Sequence, residues 1–171
     1  LECWIDGMDV VLIGAGGAAR AAAVQCLELG CRSLWVGNRS VDRLNGLLDN
    51  LRGHYPKAEI HGFELGGHGA KFPSGALLIQ ATSVGLKDED ALPVDPVLLA
   101  RVSAVFDMVY GGNGTRLVRT AREIGIKACD GLGMLVHQGA RALELWTGLP
   151  VPVECMKQAV MQTVDRKDEQ S

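Results

Sequence analysis

The chain has 171 residues, 47% hydrophobic and 22% charged, which is enough to build one core. A formal net charge of -3 argues against a nucleic-acid or anionic-membrane partner, and no apolar run approaches the ~20 residues of a membrane span. Five cysteines (Cys3, Cys26, Cys31, Cys129, Cys155) show no C-x-x-C spacing and the four histidines are scattered, so no metal site is expected and a reduced, cytoplasmic chain is.

The opening LECWIDGMDV lacks the basic-then-apolar order of a signal peptide. The first strand, Val10–Ile13, follows so soon that the chain is expected to start at or just before a domain edge. Gly14-Ala15-Gly16-Gly17-Ala18-Ala19 comes next, and Arg20–Leu29 then reads as helix, rich in Ala and Leu. Gly14 permits a tight turn out of the strand, Gly16 lets the backbone approach a pyrophosphate, and Ala19 allows close helix–strand packing. The helix start would present unpaired N–H groups and partial positive charge to phosphates.

A second apolar run, Leu34–Val36, ends at Gly37-Asn38-Arg39. Folds that prefer NAD place an acid here to accept from the ribose 2′-hydroxyl. This chain instead has Asn38 and Arg39, with Arg43 four residues on and Ser40 as a helix cap between them. A guanidinium pairs bidentately with a 2′-phosphate that a carboxylate would repel. The spacing therefore predicts NADP rather than NAD.

Val41–Leu51 carries the amphipathic stripe Val41, Leu44, Leu47, Leu48 and Leu51, with Gly53 and Pro56 expected to end it. Ala58–Leu65 reads as a third strand and Gly66–Gly75 as a loop, with His61 and His68 near it read as solvated loop or strand-edge histidines. Ala76–Thr82 is a continuous apolar run, as expected for a parallel strand covered on both faces. It ends in Thr82-Ser83, hydroxyls placed where an open parallel sheet binds ligands. The run Lys87–Asp90 reads as a solvated loop, and Asp95-Pro96 starts a short helix.

Ser103–Tyr110 is read as the fifth strand, presenting Asp107, Met108 and Tyr110 at its end. Thr115–Ile124 is helical with Leu117, Val118, Ala121 and Ile124 on one face, and Ile126–Cys129 is a brief sixth strand. A helix from Asp130-Gly131 to Trp146 and a last one from Val153 to about Val164 precede a frayed RKDEQS tail. This alternation predicts α/β architecture over residues 1–171: one Rossmann-like domain, a doubly wound parallel six-stranded sheet in three layers.

The motifs GAGGAAR (Gly14–Arg20), NRSVDR (Asn38–Arg43), QATSVG (Gln80–Gly85), DMVY (Asp107–Tyr110), DGLGMLVHQGA (Asp130–Ala140) and LWTG (Leu145–Gly148) stand in an order that resembles the C-terminal, NADP-binding half of shikimate dehydrogenases. The resemblance covers nearly the whole chain. It departs at Gln80, where Asn is usual, at Ser40, where Thr is common, and at Gly112, which replaces a Pro. It implies that Gly14, Ala15, Gly16, Gly17 and Ala18 hold the pyrophosphate, and Asn38, Arg39, Ser40 and Arg43 the 2′-phosphate. Thr82, Ser83, Met108 and Gly131 would flank the nicotinamide, and Tyr110 and Gln138 would reach the substrate. On residue type alone, Met108 is an ordinary core methionine and Gln138 an ordinary helix-face amide.

The resemblance also implies hydride exchange between NADPH and 3-dehydroshikimate, yielding shikimate, with a Lys–Asp couple for the proton supplied by a substrate domain ahead of this one. Lys57, Lys71, Lys87 and Lys127 all read as surface lysines, so no catalytic residue is expected in this chain. It should bind cofactor and turn over little alone, and the face left by the absent domain should favour self-association. Quinate or aminoshikimate as substrate, or a nucleotide-binding module without catalysis, remain open alternatives.

Overall fold

The computed structural model describes residues 4–66, 72–85, 90–111 and 114–168, the last five by their backbone alone. Expectations for His68, Lys71, Gly112 and the stretch 86–89, Lys87 included, lie outside the described residues. Among the described residues six strands, β1 (Asp9–Ile13), β2 (Ser33–Asn38), β3 (Glu59–Glu64), β4 (Leu77–Gln80), β5 (Ala104–Asp107) and β6 (Lys127–Cys129), form one sheet in the order β3-β2-β1-β4-β5-β6. Every pairing is parallel. The helices are α1 (Gly17–Glu28), α2 (Val41–His54), α3 (Pro96–Leu99), α4 (Arg116–Glu123), α5 (Leu132–Thr147) and α6 (Val153–Asp168).

Strand alternation sorts side chains into two apolar layers. Val10, Leu12, Leu34, Val36, Leu77 and Ile79 pack under α1 and α2. Val11, Ile13, Leu78 and Val105 pack under α3 and α4. The expected three-layer, doubly wound sheet is what forms. Ala19, fully buried in α1, takes the close-packing position predicted for it. Burial also pushes the Cys26 thiol up to about 12, so it acts as a small hydrophobe.

Element ends differ from the sequence reading in instructive ways. The helix expected from Arg20 starts at Gly17, bringing its first turn onto the glycine segment. Val41 is exposed, because the buried stripe of α2 is Leu44, Leu47, Leu48 and Leu51 and Val41 stands a turn too early to reach the sheet. Gly53 lies inside α2, which closes at Tyr55. Ile124 is half exposed at the end of α4. α6 continues to Asp168, past the expected Val164 and into the tail read as frayed. Trp35 and His61 stack at 4.1 Å on neighbouring strands, and His61 also meets Glu59 at 3.0 Å. His61 is thus a partly exposed histidine on the edge strand β3, as expected.

Candidate functional site

Apart from Gln138, which lies within α5, the predicted residues fall along the carboxyl edge of the sheet, where backbone bonds tie each strand's exit to its neighbour. Gly14 N–H donates to Gly37 O at 2.8 Å, joining the glycine turn to the end of β2. Ala81 N–H donates to Ile13 O and Met108 N–H to Gln80 O, both at 2.8 Å. Gly131 N–H donates to Val109 O at 3.0 Å, which brings the start of α5 onto the same edge.

Two glycines are set by close approach. Gly14 has φ +119°, and a Cβ there would stand 2.9 Å from Ala81 O and 3.1 Å from Thr82 Cγ2. A Cβ on Gly131 would lie 2.3 Å from Met108 O, so no larger residue fits between the β5 exit and α5. Gly16 and Gly17 differ: nothing lies within 4 Å of a Cβ on either, and both are exposed. Gly16 caps α1 without a side-chain hydrogen bond, and no acid occupies that helix's first turn. Its leading N–H groups and partial positive charge therefore lack a side-chain counterpart at the exposed turn Gly16–Ala18. Ala15 beside them is buried.

At the end of β2, Asn38 Nδ2 donates to Ser40 O at 3.0 Å, and Ser40 Oγ caps α2 by accepting from Arg43 N–H at 3.4 Å. The predicted cap is present. Arg39 and Arg43 are exposed, and neither guanidinium has a hydrogen-bond or ion-pair partner among the described residues.

Two buried polar residues with no role expected from the sequence shape this edge. Gln80, fully buried, ends β4 and holds the Thr82–Val84 turn with its amide. Beside it in register, Asp107 ends β5 and is 1% exposed. One carboxylate oxygen accepts from Val109 N–H at 3.0 Å, and the other from the Thr115 hydroxyl at 2.6 Å. Thr115 Oγ1 in turn accepts from Val118 N–H and caps α4. These side chains cut both strands shorter than expected, because each captures the backbone two residues on. The available signal is a polar residue closing an apolar run: LLIQ and AVFD.

Burial drives the Asp107 carboxyl up to about 6, with Asp130 pushing the same way and the Thr115 and Val109 hydrogen bonds opposing. Its folded value lies above the ordinary 3.8, so the unfolded chain releases this proton first as pH rises. Stability from this group is thus present below about pH 4 and lost by about pH 6, a change of roughly 2–3 kcal/mol. Thermal midpoints across that window should fall more steeply for the native chain than for Asp107→Asn. Parallel curves would refute the assignment.

A cleft of about 890 Å³ opens between α1 and the α5–α6 pair, floored by Leu77, Ile79, Phe106 and Met108. It brings Met108 and Gln138 together, while the glycine turn, Arg39, Arg43, Thr82, Ser83 and Tyr110 lie outside its lining. Thr82 is half-buried; Ser83 and Tyr110 are exposed at their strand exits. Lys157, which carries no local signal in the sequence, lines the cleft with Asp130. Asp130 Oδ1 accepts from Leu132 N–H at 3.1 Å just before α5, and no lysine among the described residues is ion-paired with a carboxylate. Lys57 lies in a turn and Lys127 on β6, as expected. Among the described residues, no cluster of His, Cys, Asp and Glu could hold a metal ion, and no helix is long and apolar enough to cross a membrane.

A parallel sheet wound in this order, with a glycine turn after its first strand, defines the Rossmann-like class of α/β domains. The family model for the shikimate 5′-dehydrogenase C-terminal domain matches residues 131–161. The chain is 40% identical over 163 residues to the shikimate dehydrogenase (NADP(+)) of Methanothrix thermoacetophila, covering 95% of this chain and 57% of that protein. With the Magnetococcus marinus enzyme it shares 33% over 164 residues, 94% of this chain and 57% of the other. The fold is similar to a 5-ketofructose reductase of Gluconobacter sp. strain CHM43 (TM-score 0.78, 31% identical, 95% of this chain and 58% of that one). It is also similar to a shikimate dehydrogenase in complex with NADP+ (0.77, 27%, 93% and 55%) and to the Corynebacterium glutamicum quinate dehydrogenase in complex with NAD (0.77, 26%, 92% and 56%). The chain is similar to the C-terminal domain of shikimate dehydrogenases and spans about 57% of the length of these curated relatives.

Proposed function

We propose that the carboxyl edge of this sheet binds NADP(H) and serves hydride exchange between the cofactor and 3-dehydroshikimate, forming shikimate. The observation that carries the reading is that Arg39 and Arg43, beside the α2 cap, have guanidiniums with no partner among the described residues, and that no side chain caps the start of α1. These residues fit the group chemically. Arg39, Arg43, Asn38 and the Ser40 hydroxyl would hold the 2′-phosphate. The turn Gly14–Ala18 would receive the pyrophosphate against first-turn N–H groups of α1. Thr82, Ser83, Met108 and Gly131 would border the nicotinamide, which supplies or accepts the hydride when bound.

Tyr110 and Gln138 offer a phenol and an amide to a polyhydroxylated ring acid without adding charge. The chemistry also needs a proton donor or acceptor at the substrate oxygen. The described lysines, Lys157 included, have no paired carboxylate to position them, so this role falls to a Lys–Asp couple in a separate substrate domain. The 171 residues are expected to enhance NADPH fluorescence on titration and to show next to no turnover of shikimate. No binding at millimolar NADPH would overturn the cofactor reading, and turnover by these residues alone would overturn the division of labour.

A further inference from the structure

We infer that Gln80 is a positioning residue for the nicotinamide end of the cofactor, linking the two turns that border it. This inference rests on the cofactor reading above. Gln80 is fully buried at the carboxyl end of β4, and its amide is spent on the turn that follows. Oε1 accepts from Thr82 N–H at 2.6 Å, while Nε2 donates to Val84 O at 2.7 Å and to Thr82 O at 3.3 Å. Within the turn, Thr82 Oγ1 accepts from Val84 N–H at 3.1 Å. The same residue's main-chain carbonyl, that of Gln80, accepts from Met108 N–H at 2.8 Å. One residue therefore fixes both the Thr82–Ser83 turn and the Met108 exit, from opposite ends of its own structure.

The turn's location is constrained from the other side as well. The Ala81 carbonyl and the Thr82 methyl press against Gly14, leaving no room for a Cβ there. The turn has almost no slack against the glycine segment, so its internal geometry is the remaining freedom, and the Gln80 amide removes it. A buried, fully satisfied network of this kind rigidifies what it ties together. Neither Arg39 nor Arg43 touches this network, so the adenosine end is independent of it.

That independence supplies the test. Gln80→Met keeps the length but removes the acceptor for Thr82 N–H and the donor to Val84 O, and Gln80→Glu keeps the shape but sets an oxygen against two carbonyls. Affinities for NADPH and for adenosine 2′,5′-bisphosphate, which has the 2′-phosphate but no nicotinamide, would be measured by calorimetry alongside thermal midpoints. Both variants are expected to weaken NADPH on the order of tenfold. Adenosine 2′,5′-bisphosphate should bind within about twofold of the native affinity, as for a site sharing no partners with the change. Equal weakening of both ligands, or unchanged NADPH affinity in a folded variant, overturns the inference. Should Gln80→Glu fail to fold, Gln80→Met decides alone. A native chain that binds adenosine 2′,5′-bisphosphate but not NADPH overturns the inference while sparing the 2′-phosphate site; one that binds neither overturns the cofactor reading and this inference with it.

Discussion

Gly14→Ala is expected to unfold or severely destabilise the domain, whereas Gly16→Ala, two residues away, leaves stability intact and abolishes tight cofactor binding. The two glycines serve different ends. At Gly14 the backbone has φ +119°, a region L-residues avoid at a strain of about 1–3 kcal/mol. The added Cβ would also sit 2.9 Å from the Ala81 carbonyl oxygen, and forcing backbone apart adds overpacking of about 1–3 kcal/mol. Together these remove a large share of the ~5–15 kcal/mol that holds an ordinary domain together. Gly16 has φ -84°, is exposed and has no atom within 4 Å of where a methyl would stand, so the fold does not need glycine there.

What needs the missing Cβ at Gly16 is a pyrophosphate lying against the backbone. Thermal midpoints and NADPH titrations of both variants separate the roles. Gly16→Ala with native affinity would mean that phosphate does not approach at this turn. A stable Gly14→Ala would mean that the β1 exit and the Thr82 turn can move apart.

Much of this is legible in the chain. The strands and their order of use follow from apolar runs that alternate with helical stripes, and the glycine turn, the Ser40 cap and the Asp95-Pro96 helix start are local devices with local signatures. What escapes a linear reading depends on contacts distant in sequence. Gln80 and Asp107 look like ordinary strand ends until the sheet puts them side by side, and only then does each emerge as the anchor of the turn beyond it. Val41 fits a helical stripe on paper, but the sheet ends before it can be covered. Lys157 has no local signature because only the return of α6 beside α5 carries it to the cleft.

Arg39→Asp is expected to cost NADPH affinity about 1.5–3 kcal/mol, roughly 10- to 150-fold, with a smaller effect on NADH. The native guanidinium is exposed, follows directly on β2 and has no protein partner among the described residues, so no internal pair must be broken to engage a phosphate. The substitution replaces attraction by repulsion toward a 2′-phosphate, while a 2′-hydroxyl can still donate to the new carboxylate. Because the site is open to solvent, the loss should shrink as salt is raised. Arg43, one helical turn along and adjacent to the Ser40 cap, should act on the same phosphate. Its Arg43→Ala loss should therefore be non-additive with a change at Arg39, since both would share one ligand group. Equal weakening of NADPH and NADH by Arg39→Asp, or strict additivity between the two arginines, would place the 2′-phosphate elsewhere.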